Sequence, residues 1–339
     1  MKPTTKTSQA ARTASLALLL GVGALAAAQA RGQAAGSETL SGRMAEKTQA
    51  FLAGLDEAAT GEATTGYDDP ERRTWAFGPV SRKGIALGGL SETSMAQLEA
   101  ILDEALSDKG MDAWHQIREL ESVLHERESK PGKPATNRDP DLYWLRVYGE
   151  PNKDGRWSVR FEGHHLALHV SFVPGEAPAT TPFFIGASPL LNARDKDITV
   201  DAFRELRAKT DALLLTLGPK GAALSPGQKP KDVRMGPGKW DLPPAGGADV
   251  ASLSKDQRQA ASALLDCYQE LLEPELRDYT LEGAEDCTFA HWGGKTVAEP
   301  RAWCLRTSTF ALEVCTTTGA DHIHALLRDT QRDFGGKAK

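Results

Sequence analysis

Two short runs hold the residues best suited to chemistry: Arg160-Phe161-Glu162-Gly163-His164-His165 and His322-Ile323-His324. Counting His169, five of the chain's eight histidines lie in or beside them, and imidazole is the side chain that most readily binds metal or moves protons near neutral pH. His322 and His324 are two apart, so in an extended segment both rings face the same way; in a helix they would diverge by about 200°. With His164 or His165 they would supply three imidazoles. Glu162 or Glu313 would then serve as carboxylate ligand or general base, and Arg160 or Arg328 as an anion-stabilising group. Three nitrogens and one open position suit catalytic zinc, two histidines and a carboxylate suit non-haem iron, and an all-histidine set suits copper. Each half has a bland alternative: an Arg-Glu pair with a bonded histidine at a sheet edge, or two solvated histidines in a turn. The expectation therefore rests on convergence.

The elements around these runs read as α+β: helices packed on a largely antiparallel sheet. Trp157 to Val173 has the character of one strand, with Leu142 to Tyr148 as its hairpin partner across the turn at Pro151 to Gly155. Split by parity, one face carries Arg160, Glu162, His164, Leu166, Leu168 and Val170; the other carries Phe161, Gly163, His165 and His169. Only one of the paired histidines would then point into a pocket. Ser91 is a suitable N-cap for a helix through Met95, Leu98, Ile101 and Leu102, and a second helix is expected from about Met111 to Glu128. Further helices are expected over Met44–Leu55, Thr199–Leu217 and after Ser254, where Gln257 completes a capping box. The shared Leu-Ser openings at Leu90-Ser91 and Leu253-Ser254 hint at a weak internal duplication. Phe289 to Trp292, Arg301 to Leu305 and Thr309 to Val314 read as short strands of a second sheet region.

Residues 1–30 have the form of a secretory signal: basic Lys2, Lys6 and Arg12, an apolar Ala14–Ala28, and Ala28-Gln29-Ala30 as a small-x-small cleavage pattern. Residues 31–42 read as a disordered spacer and 43–336 as a single domain. The chain is expected to be secreted or periplasmic. A net charge of -6 without a Lys/Arg run argues against nucleic acid, whose binding rests on phosphate neutralisation, and no later apolar run approaches the roughly 20 residues of a membrane span. Four cysteines, Cys267, Cys287, Cys304 and Cys315, crowd the last quarter. For an exported chain this predicts disulfides, with Cys304–Cys315 the first pairing to consider. There is no GxSxG, P-loop, dinucleotide fingerprint or HExxH.

The chain also resembles a family catalogued as a domain of unknown function, number 3500, found in secreted proteins of bacteria and fungi. The resemblance lies in Asp68-Asp69-Pro70-Glu71-Arg72 with Trp75; Leu142-Tyr143 through Tyr148-Gly149; Arg160-Phe161-Glu162-Gly163-His164-His165-Leu166; Thr181-Pro182-Phe183-Phe184-Ile185-Gly186; and His322-Ile323-His324 with Arg328-Asp329 and Asp333-Phe334-Gly335. It implies one family domain from about Arg43 to Gly336 and brings no activity with it. The chain departs from the family pattern at His169, where asparagine is usual, and over Cys315–Gly319. Taken together, the residues lead to an exported metal-dependent enzyme, monomeric or homodimeric, binding a divalent ion, with zinc ahead of iron or copper. Hydrolysis of a small-molecule or polymer substrate by a metal-activated water is the least demanding chemistry. An iron or copper oxidoreductase, and an extracellular metal- or ligand-binding protein without turnover, are the alternatives.

Overall fold

Alternating apolar residues build long antiparallel ladders, and these dominate the fold. The computed structural model describes residues 39–190, 200–221, 228–296 and 298–336; the expected leader and most of the expected spacer lie outside them. The strands are β1 (Thr64–Thr65), β2 (Ile85–Ala86), β3 (Tyr143–Tyr148), β4 (Trp157–Gly163), β5 (Leu166–Phe172), β6 (Phe183–Ala187), β7 (Ala248–Asp249), β8 (Thr288–Gly293), β9 (Arg301–Arg306), β10 (Phe310–Thr316) and β11 (Ile323–Asp329). They form one sheet in the order β1-β3-β4-β5-β6-β11-β10-β9-β8-β7, with β2 also paired to β3. All ladders are antiparallel except β1 on β3. The expected second sheet region is continuous with the first.

Among the described residues six α-helices cover one face: α1 (Leu40–Ala53), α2 (Glu57–Ala63), α3 (Glu92–Leu102), α4 (Asp108–Glu128), α5 (Asp201–Gly221) and α6 (Lys255–Gln269). Ser91 caps α3 and the Ser254/Gln257 capping box opens α6, each satisfying amides that helix starts leave unbonded. Helix side chains such as Phe51, Trp114, Leu120, Phe203 and Leu264 join Trp157, Phe161, Leu168, Ile185, Ala325 and Leu312 of the sheet in a single core. A smaller apolar cluster, with Trp75, Phe184, Met235, Ala311, Leu326 and Phe334, sits on the other face. No helix among the described residues is long and apolar enough to cross a membrane.

Trp157 to Val173 is two strands, not one. The hairpin turns on His164 and His165, with Gly163 paired to Leu166 and His165 in the left-handed region at φ 65. A two-residue turn reverses the chain and restarts the parity. Arg160 and Glu162 therefore face the same way as Ala167 and His169, away from the helices, while Leu166, Leu168 and Val170 join Val159 and Phe161 in the core.

The two halves of the sheet repeat one arrangement. A short strand, a 3-10 turn and a helix (β2, Leu87–Gly89, α3) precede the meander β3-β4-β5-β6; β7, Val250–Ser252 and α6 precede β8-β9-β10-β11. Arg160 pairs with His169 as Cys304 pairs with Glu313, and Glu162 with Ala167 as Arg306 with Ala311. Leu166-Ala167-Leu168-His169-Val170 thus overlays Phe310-Ala311-Leu312-Glu313-Val314. The halves meet where β6 pairs with β11, around Phe183 and Leu327.

The disulfide expectation is not met: all four cysteines are free and buried. Cys304 stands opposite Glu313 and Cys315 opposite Ala302, so register separates the favoured pair along the ladder. Cys267 and Cys287 lie in the helix-side core and the other two in the opposite cluster. Burial pushes the thiols of Cys267 and Cys315 up to about 11 and that of Cys287 to about 12, which keeps them protonated and poorly reactive.

Candidate metal centre

The β4–β5 turn and the start of β11 come together at one end of the sheet. His165 is fully buried, its amide donating to Phe77 O at 3.1 Å and its carbonyl accepting from Gly186 N at 2.7 Å. A left-handed conformation costs a residue other than glycine about 1–3 kcal/mol; here those two backbone bonds and the packed ring hold it. His324 in β11 lies opposite Gly186 in β6, and His322 immediately precedes that strand. His165 Nε2 is 2.9 Å from His322 Nε2, which is 3.0 Å from His324 Nε2. Three ring nitrogens from two segments thus converge, all within 4.8 Å of one another.

Local packing makes room for this. A Cβ at Gly186 would lie 2.7 Å from His165 Cδ2 and 3.0 Å from His324 Cδ2, so only glycine lets both rings approach β6. Phe77 and Phe184 stack at 4.3 Å between centroids and each meets the His324 ring edge-on at 5.1 Å. Asp232, from the loop over this face, lies 2.7 Å from His324 Nδ1. A carboxylate there fixes the Nδ1–H tautomer and leaves the Nε2 lone pair facing the centre, the usual arrangement behind a metal-bound histidine. His165 Nδ1 is buried with no hydrogen-bond partner among the described residues. Burial, reinforced by neighbouring imidazoles, pushes the His322 ring down to about 4 and that of His165 well below its usual range. Both are neutral at pH 7, the state metal ligation requires.

His164 stacks on His165 at 3.7 Å between ring centroids but turns to other partners. Its Nδ1 bonds to the carboxyl of Glu121, a residue of α4, and Arg138 Nη1 lies 3.0 and 3.1 Å from its two ring nitrogens. Burial pushes Glu121 up to about 8 and His164 down to about 2. The pair is therefore uncharged near pH 7, with one hydrogen bond between the Glu121 carboxyl and His164 Nδ1. Glu128 holds Arg138 in place through two bonds of 2.9 Å. Beside the pair opens a cavity of about 220 Å³ lined by Val80, Arg82, Glu121, Asn137, Trp144 and His164.

The expected carboxylates and arginines are engaged elsewhere. Arg160 binds Glu71 at 2.7 Å and the carbonyls of Thr74 and Lys83 at 2.8 and 3.1 Å. Glu162 sits among Arg82 (3.4 Å), Arg160 (3.5 Å) and His169 (3.2 Å). Glu313 accepts from the amides of Arg234 and Met235 and from Arg234 Nε, at 2.8, 2.9 and 2.8 Å. Arg328 binds Asp333 at 2.7 Å and Met235 O at 2.6 Å. None of these contacts is with an imidazole of the trio. They fasten the loops around 71–83 and 234–239 to the charged sheet face, because buried charge needs matching. Sequence reasoning missed Asp232, Glu121, Arg138 and Gly186, which sit in a loop, a helix and a strand with no local signature.

The three imidazoles, with Glu121, His164 and His165 as a second cluster able to contribute, could hold a metal ion. No curated protein and no solved structure matches the chain. One family model does, over residues 37–336, and a match across nearly the whole length places this chain in the family described as Protein of unknown function (DUF3500).

Proposed function

We propose that this is an exported metal-dependent hydrolase in which His165, His322 and His324 hold a divalent ion, zinc first, beside the cavity at His164. The carrying observation is the convergence of three Nε2 atoms, at 2.9 and 3.0 Å along the trio, without a carboxylate among them. Zinc on three nitrogens leaves one position for water and lowers the pKa of that water to about 7. The chain's own residues do the rest. Asp232 sets the His324 tautomer, and Gly186 admits the rings. Phe77 and Phe184 exclude water from one side of His324. Glu121 holds a proton on its carboxyl against His164 Nδ1, at the cavity wall where a substrate's leaving group would lie. Trp144 and Val80 offer that substrate an apolar wall, and Asn137 and Arg82 offer it polar contacts.

A copper oxidoreductase is the second reading, favoured by the all-imidazole donor set; the iron arrangement, which needs a carboxylate ligand, fits less well. The deciding experiment is elemental analysis of protein purified from its native compartment, paired with a panel of chromogenic ester, amide and phosphoester substrates. One zinc per chain and a chelator-sensitive hydrolysis, both lost in His322→Ala, support the proposal. Stoichiometric copper would favour the second reading. Bound metal without turnover would leave a storage protein, and a metal-free protein would overturn the site.

A further inference from the structure

The internal repeat gives the histidine centre a counterpart at the other end of the same sheet face. Thr330 N donates to Thr309 O at 3.0 Å as Gly186 N donates to His165 O, and Arg306 occupies the register position of Glu162. Thr330 lies six residues past His324, about 20 Å along a strand. At this counterpart opens a cavity of about 590 Å³ whose lining includes Arg73, Trp240, Arg306, Thr330 and Asp333, a size ordinary for small-molecule sites.

Its charges are unbalanced in one direction. Arg306 Nε is buried without a hydrogen-bond partner, and its guanidinium makes no hydrogen bond or ion pair among the described residues. Arg73 donates to Gly336 O at 2.7 Å and has no carboxylate partner among them. Of the two lining carboxylates, Asp333 is taken by Arg328 at 2.7 Å, while Asp241 is exposed. Trp240 is 51% exposed, one of three large apolar side chains so placed among the described residues. Its ring rests against Phe334 at 6.0 Å and over the Arg328 guanidinium at 5.8 Å.

We propose that this cavity binds a small monocarboxylate carried on a ring, its carboxylate on Arg306 and Arg73 and its ring against Trp240. A guanidinium edge offers two parallel N–H donors that match one carboxylate, which is what the unsatisfied Arg306 Nε lacks. The indole supplies a flat apolar platform. Asp241 disfavours a doubly charged phosphate. An aromatic acid and a uronic acid share this chemistry.

Calorimetric titration of the full-length protein with benzoate and, separately, with glucuronate at fixed ionic strength tests the proposal and separates the two sources, with benzamide as the neutral control. One acid should saturate a single site at millimolar concentration and change the tryptophan fluorescence; benzamide should not. Arg306→Gln should weaken binding by about tenfold or more, the effect expected for losing a charge-assisted bond. Trp240→Leu, at an exposed side chain, should weaken it and abolish the fluorescence change, and His324→Ala, whose effect is on the metal centre, should leave the affinity for the acid unchanged. Absence of saturable binding, affinity unchanged by either pocket substitution, or loss of binding in His324→Ala would each overturn it.

Discussion

The two central hairpins of the sheet share register yet carry different chemistry. At β4–β5 the turn is His164-His165; at β9–β10 the equivalent positions are Ser308 and Thr309. In both, the strand residue two places into the second strand's outer face is a loop anchor: His169 bonds to Pro182 O at 2.8 Å and meets Glu162, and Glu313 gathers the amides of Arg234 and Met235. The scaffold is thus common, and what differs is which end receives the start of β11 with its two histidines. A site arises where two scaffold features coincide, a left-handed turn carrying an imidazole and a strand start carrying two. The other end keeps a two-residue connection between its strands, without a left-handed residue at Thr309, and has an arginine-lined cavity instead.

Substitutions at matched positions should break this symmetry unequally. The largest effect is expected for His324→Ala, which should lower metal affinity by more than about 100-fold, beyond what loss of a supporting group does. Thr309→Ala, at the counterpart of His165, should leave metal affinity unchanged; isothermal titration of the metal-free protein with zinc reads both. Asp232→Asn should cost about 10–100-fold in the same titration, because the ring would lose the carboxylate that fixes its tautomer. Gly186→Ala should destabilise the fold by about 1–3 kcal/mol through overpacking against His165 and His324. Thr330→Ala, its counterpart, should cost less than about 1 kcal/mol by urea unfolding, since its backbone bond to Thr309 survives.

The smallest effects are in pH dependence. His322 titrates near 4 in the fold against an ordinary 6.5, so its contribution to stability is present above about 6.5 and is lost as pH falls from there toward 4. Metal-free protein should therefore lose stability on acidification through this window, and His322→Ala should flatten that loss. Glu121 behaves oppositely. Its carboxyl is raised from 4.5 to about 8, so its contribution is full below about 4.5 and disappears as pH rises through 8. Glu121→Gln, which mimics the protonated form, should gain on the native protein above pH 8 in thermal unfolding.

Much of this architecture is legible in the sequence, and the failures have physical causes. Helix starts at Ser91 and Ser254 are local chemistry, so a cap and a 3.6-residue period sufficed. The extended HxH segment was readable for the same reason. The β4–β5 turn was hidden because its two residues are histidines rather than the Asn-Gly or Gly-x pairs that left-handed turns favour. Seventeen residues is long for a strand, and Gly163 marked the place. The cysteines misled because compartment predicts pairing only when geometry permits it, and register puts Cys304 opposite Glu313. Asp232 and Glu121 meet their histidines only through the tertiary fold.

The claim that three imidazoles from the β4–β5 turn and the start of β11 hold one ion is tested most directly by X-ray absorption on protein purified with its native metal. The account predicts one metal per chain with three imidazole nitrogens at about 2.0–2.1 Å, falling to two in His324→Ala. A chain that retains no metal, or an absorption spectrum that is the same in His165→Ala, His322→Ala and His324→Ala as in the native protein, would contradict it.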